Sequence, residues 1–376
     1  MVVKYCGGLN LKNAFAAILL VTTGSVVLMA VTVLQVPRLF PVRKISFANT
    51  TEMDMVVRDH KFDMRGTEVM VFLHIQKTGG SKFGAQLVSN LDLKRPCVCS
   101  RKGSHDLRKH AAKQKTKERK VCHCFRPGSK RIWLFSRHHL GWPCGLHADW
   151  TEHHECVPKY MNKREGRNFN RRKFVYITIV REAVSRFLSE FAFVRNVGEM
   201  WRASSLRCNG RSPTQEELPQ CFTRADLSDV TLDEFLGCPW NLAFNRQTRM
   251  LADLRLVNCY NTSGMSPTER GRLMLESAKR NLQRMPFFGL TEYQEASQYL
   301  FEKTFGLKFV TPFAQLPEDE TRAGNILPIL DSSVLSQIET LNSLDIELYT
   351  FAKNVFFKRL THFKEADRIR MEWETE

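Results

Sequence analysis

A chain of 376 residues, 43% hydrophobic and 25% charged, has the composition of a globular protein with room for one large domain or two ordinary ones, and it falls outside the disordered class. Lys and Arg number 56 against 39 Asp and Glu, a formal net charge of +17. Such an excess predicts a polyanionic partner, because clustered cations raise the local concentration of anions. Nucleic acid, an anionic membrane and a sulfated glycan all satisfy it.

Residues 14–36 form 23 positions without a charged side chain, enough to cross a bilayer as a helix. The run exceeds a usual signal-peptide core, and Pro37-Arg38 follows without a small-residue cleavage site; both favour an uncleaved anchor. The predicted organisation is a cytoplasmic tail at 1–13, a transmembrane signal-anchor at 14–36 and a luminal stem at 37–67. A main domain at 68–362 and a charged tail at 363–376 follow. Eleven cysteines occur. Cys6 precedes the anchor, and the remaining ten are an even number, as a disulfide set in the secretory lumen requires. Sequons at Asn49 and Asn261 are usable only there. These features disfavour a nuclear nucleic-acid binder.

Val69 to Ile75 is a compact apolar run that reads as a buried strand. Gln76 to Gly80 then makes a loop, and Ser81 is placed to cap a helix through Phe83, Leu87, Val88 and Leu91. Residues 94–137 carry fifteen Lys or Arg against Asp106 and Glu118, with 101–120 reading as a basic insertion. Ile132 to Phe135 and Phe174 to Val180 are further strands, the second ended by Arg181 and followed by a helix from Ala183 to Val194. Two strand–loop–helix units predict an α/β domain with a parallel sheet. Helical spacing fills Leu232–Leu254, Pro267–Arg284, Thr291–Phe305 and Ser333–Leu360. Phe287–Leu290 and Leu307–Val310 are candidate short strands, and the tail after His362 reads as a frayed helix.

The segment His74-Ile75-Gln76-Lys77-Thr78-Gly79-Gly80-Ser81-Lys82 carries the most chemistry. A glycine loop between a buried strand and a helix lets backbone amides crowd around an anion, helped by the helix N-terminus. Lys77 precedes the glycines, whereas an ATP-type P-loop places its lysine after the last one, so an ATPase reading fails.

The string HIQKTGG resembles the phosphosulfate loop of the heparan sulfate 6-O-sulfotransferase family. Further family-like strings run in order: WLFSR at 133–137, GLHADWTE at 145–152, SRFLSE at 185–190, CNGRSPT at 208–214, NRQTRMLADL at 245–254, FFGLTE at 287–292 and FGLKF at 305–309. The resemblance implies the PAPS-sulfotransferase fold, a P-loop-like central parallel sheet flanked by helices with a helical C-terminal part. It implies a Golgi membrane protein of single-pass type II topology, with the sulfotransferase domain luminal. The expected reaction moves a sulfo group from 3′-phosphoadenosine 5′-phosphosulfate (PAPS) to the 6-O position of glucosamine in heparan sulfate, with no metal.

Roles follow residue by residue from the resemblance. His147 is the expected base, since histidine titrates near working pH, and Lys77 supplies positive charge to the leaving oxygen. Residues 74–82, Arg181, Ser189, Gln315, Arg322 and Ala323 are expected to hold the nucleotide. Lys120, Arg137, Trp142, His147 and Trp201 are expected to hold the glycan. Glu182-Ala183 stands where the family has Asp-Pro, an acidic stretch lengthens the loop between Gln315 and Arg322, and Phe193 stands where the family has a polar group. Alternative readings are 2-O-sulfation of a uronic acid and a non-catalytic, heparin-binding membrane protein. Cys122-His123-Cys124 and the neighbouring histidines lack zinc-site spacing.

Overall fold

The computed structural model describes residues 60–102, 119–166, 172–201, 206–317 and 323–374, all within the unit Thr50–Glu376. The tail, the anchor at 14–36, most of the stem with Asn49, most of the basic insertion and Arg322 lie outside these residues. Among the described residues no helix is long and apolar enough to cross a membrane.

Four parallel strands form the central sheet in the order β4-β1-β5-β6. Strand β1 (Glu68–Leu73) and β5 (Lys173–Val180) are near-continuous apolar runs, as strands covered on both faces must be. They pair from Glu68 opposite Lys173 to Leu73 opposite Thr178. Strand β4 (Leu134–Phe135) flanks β1, and β6 (Phe287–Leu290) flanks β5. The antiparallel hairpin β2 (Val98–Lys102) and β3 (Arg119–His123) stands apart from this sheet. Its arms are joined by the disulfides Cys97–Cys124 and Cys99–Cys122. The other bridges are Cys144–Cys156, Cys208–Cys259 and Cys221–Cys238, so all ten cysteines of the expected set are paired.

Helices flank the sheet: α1 (Gly80–Ser89), the single turn α2 (Arg137–Leu140), α3 (Trp150–Glu165), α4 (Ala183–Val197), α5 (Leu232–Gly237), α6 (Arg246–Leu251), α7 (Pro267–Arg284), α8 (Gln294–Phe305), α9 (Ser332–Leu341) and α10 (Ser343–Glu374). The helix expected over 232–254 is broken into α5 and α6. Between them Asn241 turns back, its Nδ2 donating to the Phe235 carbonyl and its Oδ1 accepting from Ala243 N–H. The helix expected over 333–360 breaks at the buried Asn342, whose Oδ1 accepts from Asn245 N–H. Leu307–Val310 forms no strand, only an isolated bridge from Phe309 to Leu91. The tail remains helical to Glu374, tied by Asp367 to Tyr299 and Lys303. Residues 60–67, read as the end of the stem, pack on the body: Phe62 is buried and donates its N–H to the Phe305 carbonyl.

Two apolar clusters result. The larger encloses the sheet with Trp133, Phe287, Phe301 and Phe305 fully buried. The smaller joins α4, α5 and α9 through Phe187, Phe191, Phe235 and Ile338. Because every sheet strand is parallel, the segments after β1, β4, β5 and β6 leave from one edge. Ligands of open α/β sheets bind at that carboxyl edge.

Candidate active site

Leu73 ends β1, and His74, Ile75 and Gln76 continue into the core as buried residues. The turn that follows needs left-handed backbone at Lys77 (φ 66°) and Gly79 (φ 76°). Thr78 fixes it: its hydroxyl donates to the Ile75 carbonyl at 3.1 Å, and its carbonyl accepts from Thr291 Oγ1 at 2.8 Å. Gly80 is required by close approach. A Cβ there would lie 2.3 Å from His74 Cδ2 and 3.1 Å from the Phe72 ring. Ser81 does not cap α1; the capping position is Gly79, and no side chain caps the helix. Ser81 Oγ instead accepts from Arg137 Nη1 at 3.1 Å. Lys82 Nζ donates to the Ala314 carbonyl at 3.0 Å.

The first turn of α1 therefore has neither a capping side chain nor an acidic residue. Its amides and the positive end of the helix dipole are directed at the loop mouth, the arrangement that binds phosphate and sulfate. An anionic phosphosulfate group fits this end.

Arg181 arrives from the end of β5. Its Nη1 donates to the Lys77 carbonyl at 3.2 Å, and its Nε lies 4.0 Å from Glu292. Gln247 clamps its backbone twice, each bond 2.8 Å, with Oε1 accepting from Arg181 N–H and Nε2 donating to the Arg181 carbonyl. Gln247 is held on α6, where Asp345 accepts from the N–H groups of Gln247 and Thr248 at 3.0 and 2.7 Å. Below lies a buried charge cluster. Glu190 accepts from Arg186 Nη1 at 2.5 Å and from Arg246 Nε at 2.7 Å. Burial works to raise the Glu190 carboxyl, but the two guanidinium groups overcome it and hold it below the usual carboxylate value.

The string 145–152 makes the start of α3. Asp149 caps that helix by accepting from Glu152 N–H at 3.0 Å, and His147 stands two residues ahead with left-handed backbone (φ 55°). Its ring lies 4.7 Å from Trp142, 5.0 Å from His74 and 5.4 Å from Trp201. The Nδ1 atoms of His74 and His147 are buried and have no hydrogen-bond partner among the described residues. Burial first, then the neighbouring His74, Arg246, Arg137 and His153, holds His147 well below the ordinary histidine value. Burial, with Arg137 and His138 adding, lowers His74 to about 3. Trp142 stacks on His74 at 5.8 Å, with the Arg137 guanidinium over its ring at 5.5 Å. One cavity is lined by His74, Arg137, Trp142 and His147 together.

The remaining expected residues divide. Trp201 joins this group through His147 and stacks on Phe193 at 4.6 Å with a 2° interplanar angle. Lys77 Nζ lies 5.0 Å over the same Phe193 ring. Ser189 is buried on α4. Gln315 Oε1 accepts from the Gln294 N–H that opens α8, whereas Ala323 is buried in the smaller apolar cluster. Lys120 sits on β3 opposite Arg101. Asn261 lies in a turn, its Oδ1 accepting from Ser263 N–H at 2.9 Å.

The sequence pattern of the sulfotransferase family matches residues 60–352. Heparan-sulfate 6-O-sulfotransferase 1-B of Danio rerio is 50% identical over 307 residues, 82% of this chain and 70% of that protein. Heparan-sulfate 6-O-sulfotransferase 1 of Cricetulus griseus and that of Homo sapiens are each 48% identical over 330 residues, 88% of this chain and 74% and 72% of theirs. The chain belongs to the sulfotransferase family. The resemblance read from the loop and the later strings is borne out, and so is the α/β architecture with a parallel sheet.

Several residues that build the sulfotransferase site were not singled out from sequence. Gln247, Thr291 and Glu292 all sit inside the family-like strings, where no spacing rule assigns them a role. Their partners, Arg181 and Thr78, are 66 to 213 residues away. Phe193 was noted only as a departure, yet it supports both Lys77 and Trp201.

Proposed function

We propose that this sulfotransferase moves a sulfo group from PAPS to the 6-O position of glucosamine residues in heparan sulfate. The observation that carries the reading is the convergence of Lys77, Arg181 and His147 on one sheet edge, in a chain half identical to a protein named for that reaction. PAPS, when bound, supplies the activated sulfo group.

The chain's own residues do the rest. The uncapped N-terminus of α1 and the 74–82 loop would hold the phosphosulfate, and Arg181 with Ser189 the 3′-phosphate. Arg181 already grips the loop through the Lys77 carbonyl, so one cation can order the loop and meet an anion. Lys77 would place positive charge where the leaving oxygen gains negative charge. His147, neutral because its surroundings depress its protonated form, has a ring nitrogen able to take the 6-hydroxyl proton. Arg137, Trp142, Trp201 and Lys120 would hold the acceptor. The ten paired cysteines of the described residues support a luminal domain in an oxidising compartment. An N-terminal anchor, type II topology and Golgi residence complete the reading, with the net charge of +17 suited to a polyanionic glycan.

The test is transfer from labelled PAPS to N-sulfated heparosan with disaccharide mapping, for the luminal chain and for His147→Ala. Label at glucosamine 6-O that vanishes in the variant, while nucleotide binding persists, is expected. Label at the uronic acid 2-O position would move the acceptor assignment. A folded chain that binds heparin and transfers nothing would overturn the enzymatic reading.

A further inference from the structure

A second concavity shares a wall with the site around His147. Trp201, whose one side meets the His147 ring at 5.4 Å, also lines a cavity of about 260 Å³. Phe222, Trp240 and Leu242 are among its other apolar walls, with Gln220 and Thr223 among its polar groups. The disulfide Cys221–Cys238 ties the segment carrying Phe222 to the one carrying Trp240, so the two walls are held in register before anything binds. Trp240 is 39% exposed, an unusual position for a tryptophan in a protein with a large core.

Charge separates this cavity from the rest of the surface. The chain carries +17, yet among the described residues the two cations of the lining, Arg224 and Arg246, are engaged by carboxylates. Arg224 forks onto Glu234 at 2.9 and 3.1 Å and lies 3.5 Å from Asp229. Arg246 is buried against Glu190. Glu199 adds a carboxylate to the lining. Among the described residues of the lining, a sulfate or a uronate would meet no cation without a carboxylate partner and would lose hydration. A ring with apolar C–H faces and uncharged hydroxyl or amide edges fits aromatic walls bearing an amide and a hydroxyl.

We propose that this cavity is a second acceptor subsite, filled by an N-acetylated, unsulfated glucosamine residue of the same glycan chain whose reacting residue lies at His147. The inference rests on the glycan reading above. Continuity through Trp201 carries it: a linear polymer with one ring beside His147 that continues past that indole enters this cavity. The subsite gives the enzyme a means of acting where an N-acetylated stretch adjoins the residue to be modified.

The experiment uses the luminal chain and two acceptors of equal length, one N-acetylated heparosan and one with both N-acetylated and N-sulfated residues, against a fully N-sulfated control. Binding is read by calorimetry and transfer by KM and kcat, for wild type, Trp240→Ala, Trp240→Gln and Trp240→Phe, with nucleotide binding as the check on folding. The Ala and Gln variants are expected to weaken binding of acceptors containing N-acetylglucosamine at least fivefold. They should raise KM in proportion, leave kcat and nucleotide binding unchanged, and leave the fully N-sulfated control within twofold. Trp240→Phe should retain most of the affinity. Equal weakening on all acceptors, or none on any, would overturn the subsite. A wild-type chain that transfers to no glycan but shows the same Trp240-dependent binding would overturn the proposed reaction and leave the subsite standing.

Discussion

The guanidinium of Arg181 donates to the main-chain carbonyl of Lys77, 3.2 Å away. This bond joins the end of β5 to the loop that ends β1, and Gln247 fixes the Arg181 backbone from behind. Arg181 therefore orders the loop, and the proposed function gives it a second job, to meet an anion. Arg181→Ala is expected to weaken binding of 3′-phosphoadenosine 5′-phosphate by about 10- to 100-fold, the loss of about 1.5–3 kcal/mol for a charge-assisted pair. Arg181→Lys should recover only part, since an ammonium cannot fork. Calorimetry with the nucleotide checks this, and unchanged affinity in the Ala variant would remove Arg181 from the donor site.

Gly80 and Gly79 should respond differently to alanine. At Gly79 the new Cβ would meet Thr291 alone among the described residues, no nearer than 3.7 Å, but the backbone is left-handed, φ 76°, so the expected cost is about 1–2 kcal/mol of strain. At Gly80 no positive φ is involved. There the Cβ would lie 2.3 Å from His74, whose ring is packed between Phe72, Trp142 and His147. His74 cannot yield without moving its neighbours. Gly80→Ala is expected to cost about 1–3 kcal/mol in stability and to reduce kcat at least tenfold. Gly79→Ala should keep more of its kcat, and the reverse order would show that the His74 packing does not matter to the reaction.

Among the described residues, Glu190 is the acidic group that bonds both Arg186 and Arg246. Removing it leaves buried Arg246 without its carboxylate and Arg186 with only Asp345, 3.8 Å from its Nε, so Glu190→Ala should destabilise by about 3–5 kcal/mol. Urea unfolding measures this. A loss under about 1 kcal/mol would mean that water reaches the cluster and screens it.

These elements show what could be read from the sequence. Strands β1 and β5 and helix α7 announced themselves by apolar runs and periodicity, and the 74–82 loop by its glycines between a strand and a helix. The cap of α1 was misassigned, because Ser81 suits a cap by type while Gly79 takes the position through its backbone. The breaks at Asn241 and Asn342 were invisible because each asparagine bonds main-chain groups that the periodicity signal ignores. The network of Gln247, Asp345 and Arg181 was equally hidden. Asp345 and Gln247 are 98 residues apart, and nothing local marks either as the other's partner. Residue type and family strings thus singled out Lys77, His147 and Arg181 as candidates, whereas the residues that position them required the fold.

The pH profile offers the sharpest view of His147. In the free enzyme its protonated form is disfavoured by burial and by the charge of His74, Arg246, Arg137 and His153, so it is held well below the ordinary value of 6.5. A base works only when neutral, so the rate falls as pH drops through its pKa. In the free enzyme that acid limb must lie well on the acid side of 6.5. Donor and glycan are both anionic, and their charge beside the imidazole favours the protonated form, raising its pKa in the complex. The acid limb of kcat, which reports the bound state, is therefore expected at higher pH than the acid limb of kcat/KM, which reports the free enzyme. Added salt should move the two limbs only slightly, because buried charges are weakly screened. Coincident limbs, or a kcat limb on the acid side of the other, would mean that His147 does not carry the proton. The limiting group would then be sought among the remaining titratable side chains of the cavity.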